Sequence, residues 1–375
     1  MRILVTGRGL DQNGSRELGI FELDQARALR AAGHDVRFAA VDTRSARRRR
    51  PWGLRTFELD GMPVYYCAIP VGRHPSSLAY VAQQLAAKRL WERVLADGWQ
   101  PELIHSHFGT GFFPLAHKLG VPTVYTEHDS RSATPEPDQG ELDRENEAYR
   151  FADRLLCVSA PQAEQIRRNT GRSVQVIHNV VDLESFALPG APRKREGSFR
   201  FAATGNLIPR KGYDLLLPAL AELRSRGIDA CLTVIGDGPE RASLEAMAET
   251  LGLGDRVEFL GRLERKDIAR QYERCDAFVL PSRMETFGVV YIEAMAAGLP
   301  VIATVCGGPE DFVNETNGIL IPAEDVTALT DAMERMVKTR ENYDSAAIAA
   351  YARENFSPET VARQLTAVYE EALSC

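Results

Sequence analysis

Along the first half of the chain, short apolar runs alternate with stretches whose apolar residues recur every three or four positions. RILVTG (2–7) and DVRFAAV (35–41) read as buried strands, and FELDQARALRAAG (21–33) between them reads as an amphipathic helix stopped at Gly33. LIHSHF (103–108), TVYTEH (123–128), RLLCVS (154–159) and VQVIHN (174–179) follow as strands, separated by helical segments such as FFPLAHKLG (112–120) and APQAEQIRRNTG (160–171). Strand-like apolar runs that alternate with helical segments predict a parallel sheet wrapped by helices. ALPGAPRKREGS (187–198) has two prolines, two glycines and mixed charge without apolar periodicity, which suits a linker. A second series starts after it: FRFAATG (199–205), CLTVIGDG (231–238), RVEFLG (256–261), AFVLPS (277–282) and PVIAT (300–304). The tail from Ser357 reads as one amphipathic helix with Pro358 at its first position. The expected division is an N-terminal domain over 1–186, a linker over 187–198, a C-terminal domain over 199–356 and a final helix over 357–375.

Composition narrows the function classes. At 375 residues and 44% apolar, the chain is long enough for two domains that each bury a core. No apolar run reaches membrane-spanning length, and MRILVTG opens directly on a strand pattern, so a cytoplasmic protein is expected. The six cysteines are scattered without a C-x-x-C pair and read as reduced, mostly buried thiols. The net charge of −7 divides unevenly, 24 basic against 23 acidic side chains up to residue 190 and 21 against 29 beyond it, which argues against nucleic acid as a partner.

Ligands of open α/β sheets sit beyond the carboxyl ends of the strands, so the residues just after each strand are the ones to inspect. NLIPRKG (206–212) places Arg210 and Lys211 beside Gly212 at a helix mouth, a pattern suited to phosphate. In PSRMETFGVVYIEAMAAGLPVIAT (281–304) a helix begins near Phe287–Gly288 and ends at Gly298. Its first amides, at about residues 287–290, would stabilise an anion at the strand's carboxyl end, and a diphosphate fits there. Glu285 before the helix and Glu293 on its second turn would accept hydrogen bonds from hydroxyls on either side of that anion, which describes a nucleotide sugar. No D-x-D follows an apolar strand: FELDG (57–61) reads as a hairpin turn and GELDRE (140–145) as part of a charged helix, so no metal and no other cofactor is expected. His105 and His107 lie on one face of a strand without a third ligand and read as lining residues. The G-x-G at Gly7 and Gly9 does not continue into a dinucleotide fingerprint.

The two glutamates in this context, together with GIFELDQARALRAAGHDV (19–36), VIHNVVDLESF (176–186), VIGDGPER (234–241), FLGRL (259–263), GGPEDFV (307–313) and NGILIPAED (317–325), resemble the retaining glycosyltransferases of family four along nearly the whole chain. The resemblance implies the GT-B fold, two Rossmann-like domains facing each other across a cleft, with the C-terminal helix returning to the first. It implies that Lys211, with Arg210, binds the donor diphosphate, and that Glu285 contacts the hydroxyls of the transferred sugar. Thr286, Phe287, Gly288 and Val289 would offer backbone to phosphate and sugar, Glu293 would hold the ribose, backbone near Arg262 would face the base, and Gly236 would shape the floor. Many relatives have an arginine where this chain has Asn206, so either Arg210 compensates or the leaving group is stabilised less strongly. His128 would position the donor sugar near the reacting carbon, and Gly19 would lie near the transfer site in a mobile acceptor loop. The implied activity is transfer of a hexose-type sugar, with retention, from a nucleoside-diphosphate donor to a hydroxyl acceptor. Polysaccharide or glycolipid assembly is the implied setting, and the acceptor could be lipid-linked. The basic run RSARRRRPWGLR (44–55) with its tryptophan then has two readings, a solvated charge cluster or a foot on the inner face of an anionic membrane. The alternatives are a nucleotide-sugar epimerase of similar shape, a nicotinamide-dependent oxidoreductase and a non-catalytic sugar-nucleotide-binding module.

Overall fold

The computed structural model describes residues 1–8, 20–45, 47, 51–71, 76–107, 111–128, 149–186 and 197–374. It forms two compact units, Met1–Val180 with Pro358–Cys375, and Val181–Ser357. Residues 187–196, most of the expected linker, lie outside the described residues, as do Gly19 and GELDRE.

The first unit contains strands β1 (Arg2–Arg8), β2 (Asp35–Asp42), β3 (Gly53–Leu59), β4 (Met62–Ala68), β5 (Leu103–His107), β6 (Thr123–Glu127), β7 (Arg154–Cys157) and β8 (Gln175–Val176). Its helices are α1 (Ile20–Ala31), α2 (Ser76–Ala96), α3 (Phe113–Leu119) and α4 (Ala160–Thr170). The strands pair in the order β3-β4-β2-β1-β5-β6-β7-β8. All pairs are parallel except β3 with β4, an antiparallel hairpin in which Leu59 faces Met62. The hairpin turns at Asp60 and Gly61, whose φ angles of 52° and 73° fit a two-residue turn, so FELDG is the turn the sequence suggests.

Side chains alternate across this sheet. Ile3, Val5 and Phe38 pack on the α1 side, whereas Leu4, Ala39 and Tyr65 pack with Leu90 and Trp91 of α2 on the other. The last helix of the chain, α11 below, belongs to the α1 side. Its Val361, Leu365, Val368 and Tyr369 join Ile3, Val5 and Leu29 in one core, and each such fully buried side chain contributes about 1.5–3 kcal/mol.

The second unit is built from β9 (Phe199–Thr204), α5 (Tyr213–Ser225), β10 (Ala230–Ile235), α6 (Arg241–Thr250), β11 (Val257–Gly261), α7 (Arg265–Tyr272), β12 (Ala277–Leu280), α8 (Val289–Ala296), β13 (Val301–Val305), β14 (Gly318–Pro322), α9 (Val326–Thr339) and α10 (Ser345–Phe356); α11 (Pro358–Leu373) then closes the chain. The six strands are all parallel, in the order β11-β10-β9-β12-β13-β14. The order reverses between β9 and β12, so the loops after these two strands open at a topological switch point, where such sheets take their ligands. Those loops carry Asn206–Gly212 and Pro281–Gly288.

Candidate active site

In the second unit, the turn after β9 runs as a single 3-10 turn, Pro209–Lys211, and hands over to α5 at Gly212, whose φ is 71°. This turn brings Lys211 to the loop after β12. Its Nζ lies 2.5 Å from Oε1 of Glu285, and Ser282 donates to the same oxygen from 2.8 Å. Glu285 is 7% exposed. Its backbone is held from the far side: Glu285 N–H donates to Cys306 O at 3.1 Å and Gly308 N–H donates to Glu285 O at 2.9 Å. Burial and the Glu285 carboxylate push the neighbouring Tyr213 hydroxyl well above the usual range, and burial pushes the Cys306 thiol up to about 11, so neither ionises near neutral pH.

Arg283 is a residue of this neighbourhood that the sequence reading did not single out. Its backbone N–H donates to Arg210 O at 2.8 Å, its guanidinium donates to both oxygens of Asp214 at 2.8 Å and to Pro209 O at 2.5 Å, and its Nε donates to Glu324 Oε1 at 2.6 Å. The arginine thus fastens the turn that carries Arg210 and Lys211 to the loop that carries Glu285. Its partners Asp214 and Glu324 are distant in sequence, so no local pattern announces them.

Three glycines set the floor. A Cβ on Gly236 would lie 1.9 Å from Gly205 O, one on Gly212 would lie 2.1 Å from Pro281 O, and one on Gly308 would lie 2.3 Å from Phe287 Cα. Close backbone approach, not side-chain chemistry, demands glycine at these positions. Gly288 precedes α8 with φ 97°, and Tyr291 N–H bonds back to Gly288 O at 3.0 Å. The amides at the helix mouth without a partner inside the helix are therefore those of Val289 and Val290, within the 287–290 stretch that the sequence indicates. Thr286 stands between Glu285 and this mouth, and the buried Phe287 ring packs against Phe312 and Phe356. On α8, Glu293 is 7% exposed, with Nε of Arg265 3.9 Å from its Oε1, and the same guanidinium reaches Asp182 at 3.4 Å. Asn206 and Arg262 are exposed at the ends of β9 and β11. The second unit thus gathers Lys211, Glu285 and Gly236 around the carboxyl ends of β9, β10 and β12, with Glu293 one helix turn beyond.

In the first unit, His128 follows β6 directly. Its Nε2 lies 2.9 Å from Nδ1 of His107, and its ring stacks on Phe21 with centroids 6.2 Å apart. His105 bonds Tyr369 of α11 at 2.6 Å and Thr126 at 2.8 Å, which makes it a structural residue. No cluster of potential metal ligands occurs among the described residues. Glu127 points to the opposite face, as strand alternation requires, and there the Tyr125 and Tyr149 hydroxyls donate to it.

Burial pushes His105 and His128 down to about 3 and His107 well below its usual value, so all three imidazoles are neutral at working pH. The unfolded chain, with ordinary histidines, takes up these protons first as pH falls. Their contribution to stability is therefore complete above about 6.5 and lost progressively from 6.5 towards 3, at up to about 1.4 kcal/mol per pH unit for each group. Thermal melts between pH 7 and 4.5 are expected to show a falling midpoint, and His107→Asn is expected to flatten that acid limb; a variant with an unchanged limb would show that His107 takes no part in it.

The comparisons with known proteins follow from this architecture. The model of the group 1 glycosyl transferases matches residues 186–354, and that of glycosyltransferase family 4 matches residues 21–185. A D-inositol 3-phosphate glycosyltransferase of Xylanimonas cellulosilytica is 29% identical over 406 residues, covering 97% of this chain and 94% of that protein. The D-inositol 3-phosphate glycosyltransferase of Frankia alni is 30% identical over 308 residues, covering 73% of this chain and 75% of its own. Among solved structures, Anabaena Alr3699/HepE in complex with UDP superposes with a TM-score of 0.75 at 21% identity, over 99% of this chain and all of that one. The chain belongs to glycosyltransferase family 4 and has two Rossmann-like domains of the GT-B class. It is an enzyme of hexosyl transfer, which sets aside the epimerase, oxidoreductase and non-catalytic alternatives.

Proposed function

We propose that the enzyme moves a hexose from a nucleoside-diphosphate sugar to a hydroxyl acceptor with retention of anomeric configuration, using no metal or other cofactor. The observation that carries this reading is the Lys211–Glu285 pair, a half-buried cation and a buried carboxylate held 2.5 Å apart beside the mouth of α8. Lys211, Arg210 and the first amides of α8 take the diphosphate, so the charge that develops on the leaving group meets donors already in place. Glu285 accepts hydrogen bonds from the sugar hydroxyls, Glu293 accepts from the ribose, backbone at Arg262 borders the base, and Gly236 leaves room for the phosphates. Asn206 supplies no charge, so the diphosphate depends on Arg210 and Lys211. His128 is assigned to the sugar being transferred, on the family resemblance. The bond from the anomeric carbon to the phosphate oxygen breaks, the acceptor oxygen bonds on the same face, and the acceptor proton passes to the departing phosphate oxygen. No side chain need serve as general base.

The test is slow hydrolysis of a panel of nucleoside-diphosphate hexoses without acceptor, each monitored with and without EDTA. One donor is expected to turn over, at the same rate in both conditions. Rate loss with chelator would remove the metal-free reading, and binding of every donor without turnover would remove the assigned donor chemistry.

The acceptor is lipid-linked in this reading, and the enzyme works in the cytoplasm at the inner face of the membrane in polysaccharide or glycolipid assembly. Trp52 just before β3 and Leu54 within it are 57% and 41% exposed, and Leu78, Val81 and Leu85, on one side of α2, are 53%, 60% and 42% exposed. Leu54 pairs with Cys67, whose side chain packs in the α2 core, so Leu54 lies on the α2 side of the sheet. Arg47 is exposed, whereas Arg44 is engaged by Asp42 at 2.6 Å and is not a lipid contact. Among the described residues, no helix is long and apolar enough to cross a membrane. Replacing Trp52 and Val81 by Ser is expected to reduce co-sedimentation with anionic vesicles, and removing Arg47 is expected to cost about 1 kcal/mol more. Equal sedimentation of wild type and variants would overturn the membrane contact.

A further inference from the structure

Three loops of the second unit, those after β9, β12 and β14, converge on one side chain. Arg283, in the loop after β12, forms a bidentate pair with Asp214 on the first turn of α5, both bonds 2.8 Å long. The same guanidinium donates to Pro209 O at 2.5 Å and to Glu324 Oε1 at 2.6 Å, while the Arg283 backbone N–H donates to Arg210 O at 2.8 Å. A guanidinium carries five N–H donors, and four of them are engaged here, so Arg283 keeps no free pair with which to grip a phosphate. Its role is to hold protein groups.

The groups it holds lead directly to the Lys211–Glu285 pair. Pro209 O and Arg210 O are the two carbonyls just ahead of Lys211, so the backbone entering that lysine is fixed by one residue. On the other side, the adjacent Ser282 donates to Glu285 Oε1 at 2.8 Å. Both ends of the ion pair are tied to Arg283 by short lengths of chain. The charges are balanced as well. Without counter-charges Arg283 would repel the neighbouring Arg210 and Lys211, and Asp214 and Glu324 offset it. The Arg283 hydrogen bonds hold the Asp214 carboxyl below its usual range despite partial burial, so this pair stays ionised at neutral pH.

Glu324 contributes an independent observation. Its φ is 62°, left-handed backbone that a Cβ disfavours, and among the described residues the only other non-glycine with positive φ is Asp60. Asp60 belongs to the two-residue β3–β4 turn, which requires that conformation. Glu324 lies between β14 and α9, where glycine would adopt the same angle at no steric cost. What glycine lacks there is the carboxylate that meets Arg283 Nε. Backbone strain of this kind persists where the surrounding contacts over-determine it.

We propose that Arg283 is the positioning residue of the donor site, setting the spacing of Lys211 and Glu285 through its bonds to Asp214, Pro209 and Arg210, and that Glu324 aligns its guanidinium. This rests on the transferase reading above. The test compares wild type, Arg283→Lys and Glu324→Gly in three measurements: hydrolysis of a panel of nucleoside-diphosphate hexoses without acceptor, calorimetric affinity for UDP, GDP, ADP and TDP, and the melting midpoint. Lysine keeps the charge but not the planar fork. Arg283→Lys is expected to lower turnover about tenfold and affinity for the matching nucleoside diphosphate about fivefold, since a displaced cation is felt most in the transition state. In a Lys211→Ala background the same change is expected to alter that affinity by less than about twofold, because the group it places is gone. Glu324→Gly is expected to leave the midpoint unchanged or raised, because the backbone strain is relieved, while turnover falls about threefold. A residue that only stabilises the fold would not separate the two.

The proposal is overturned if Arg283→Lys binds and hydrolyses like wild type, or if it costs as much affinity without Lys211 as with it. It is equally overturned if Glu324→Gly keeps wild-type turnover, or loses turnover and midpoint together; that variant decides alone should Arg283→Lys fail to fold. A wild type that binds none of the four nucleotides overturns the transferase reading and this proposal with it, whereas normal wild-type binding beside any of the adverse results overturns the proposal only.

Discussion

Glu285→Gln is expected to lower turnover about a hundred- to a thousandfold while nucleoside-diphosphate affinity stays the same or improves. The two effects separate because, in the proposed mechanism, Glu285 and the diphosphate compete for one cation. In the structure the Lys211 ammonium lies 2.5 Å from the Glu285 carboxylate, and both are largely buried, so their mutual attraction is little screened. A glutamine keeps the shape and still accepts from Ser282, but it withdraws negative charge from beside the site proposed for phosphate. The diphosphate then meets less repulsion and a less strongly held lysine. The transferred sugar, as it gains oxocarbenium character, loses a charged acceptor for its hydroxyls, and that loss is felt most in the transition state. Lys211→Ala is expected to behave differently, lowering turnover and nucleoside-diphosphate affinity together, because it removes the cation and leaves Glu285 buried without its counter-charge. Steady-state kinetics on the donor, with the matching nucleoside diphosphate as competitive inhibitor, separates the variants. A Glu285→Gln enzyme with wild-type turnover, or one whose turnover and nucleotide affinity fall by the same factor, would show that the carboxylate does not act on the sugar.

The elements that the sequence exposed most clearly are those whose partners do not matter to the pattern. β10 and β12 are buried on both faces, so each reads as a mostly apolar run whichever strands flank it. Gly298 and Pro300 mark the end of α8 without reference to anything distant. The amphipathic tail was equally plain as a helix, but periodicity says only that one face is buried; its return to the first domain came from the family resemblance, and the contact with Ile3 and Leu29 is seen only in the structure. The site was legible where a loop carries its own chemistry, as at Arg210–Lys211 and Glu285. It was illegible where function depends on register or on distant pairs. Arg283 looks like one more loop cation until Asp214 and Glu324 are brought to it. His128 was visible at a strand end, but the imidazole against it belongs to a neighbouring strand. The run VQVIHN shows the opposite limit: only Gln175–Val176 pairs in the sheet, as a short edge strand beside β7.

Gly212→Ala is expected to unfold the enzyme more readily than any single surface change, by about 3–5 kcal/mol, and to abolish transfer in whatever fraction remains folded. Two costs combine. The residue has φ 71°, left-handed backbone that a Cβ disfavours by about 1–2 kcal/mol. Its Cβ would also lie 2.1 Å from the carbonyl oxygen of Pro281, and backbone at the end of a central strand cannot yield as a long side chain would. Relief requires the turn 209–212 and the loop 281–283 to separate, and the Arg283 bonds to Pro209, Arg210 and Asp214 hold those two segments together. Strain at Gly212 is thus passed directly to the spacing of Lys211 and Glu285. Gly227→Ala is the informative control, since Gly227 has φ 80° but nothing within 4 Å of an added Cβ, and it is expected to cost only the conformational part. Denaturant titrations of the two variants give the difference, and a circular-dichroism melt beside a donor-hydrolysis assay separates lost fold from lost geometry. Equal destabilisation by the two substitutions would mean that the Pro281 contact is relieved without cost; a folded Gly212→Ala enzyme with normal turnover would break the link between this close approach and the Lys211–Glu285 pair.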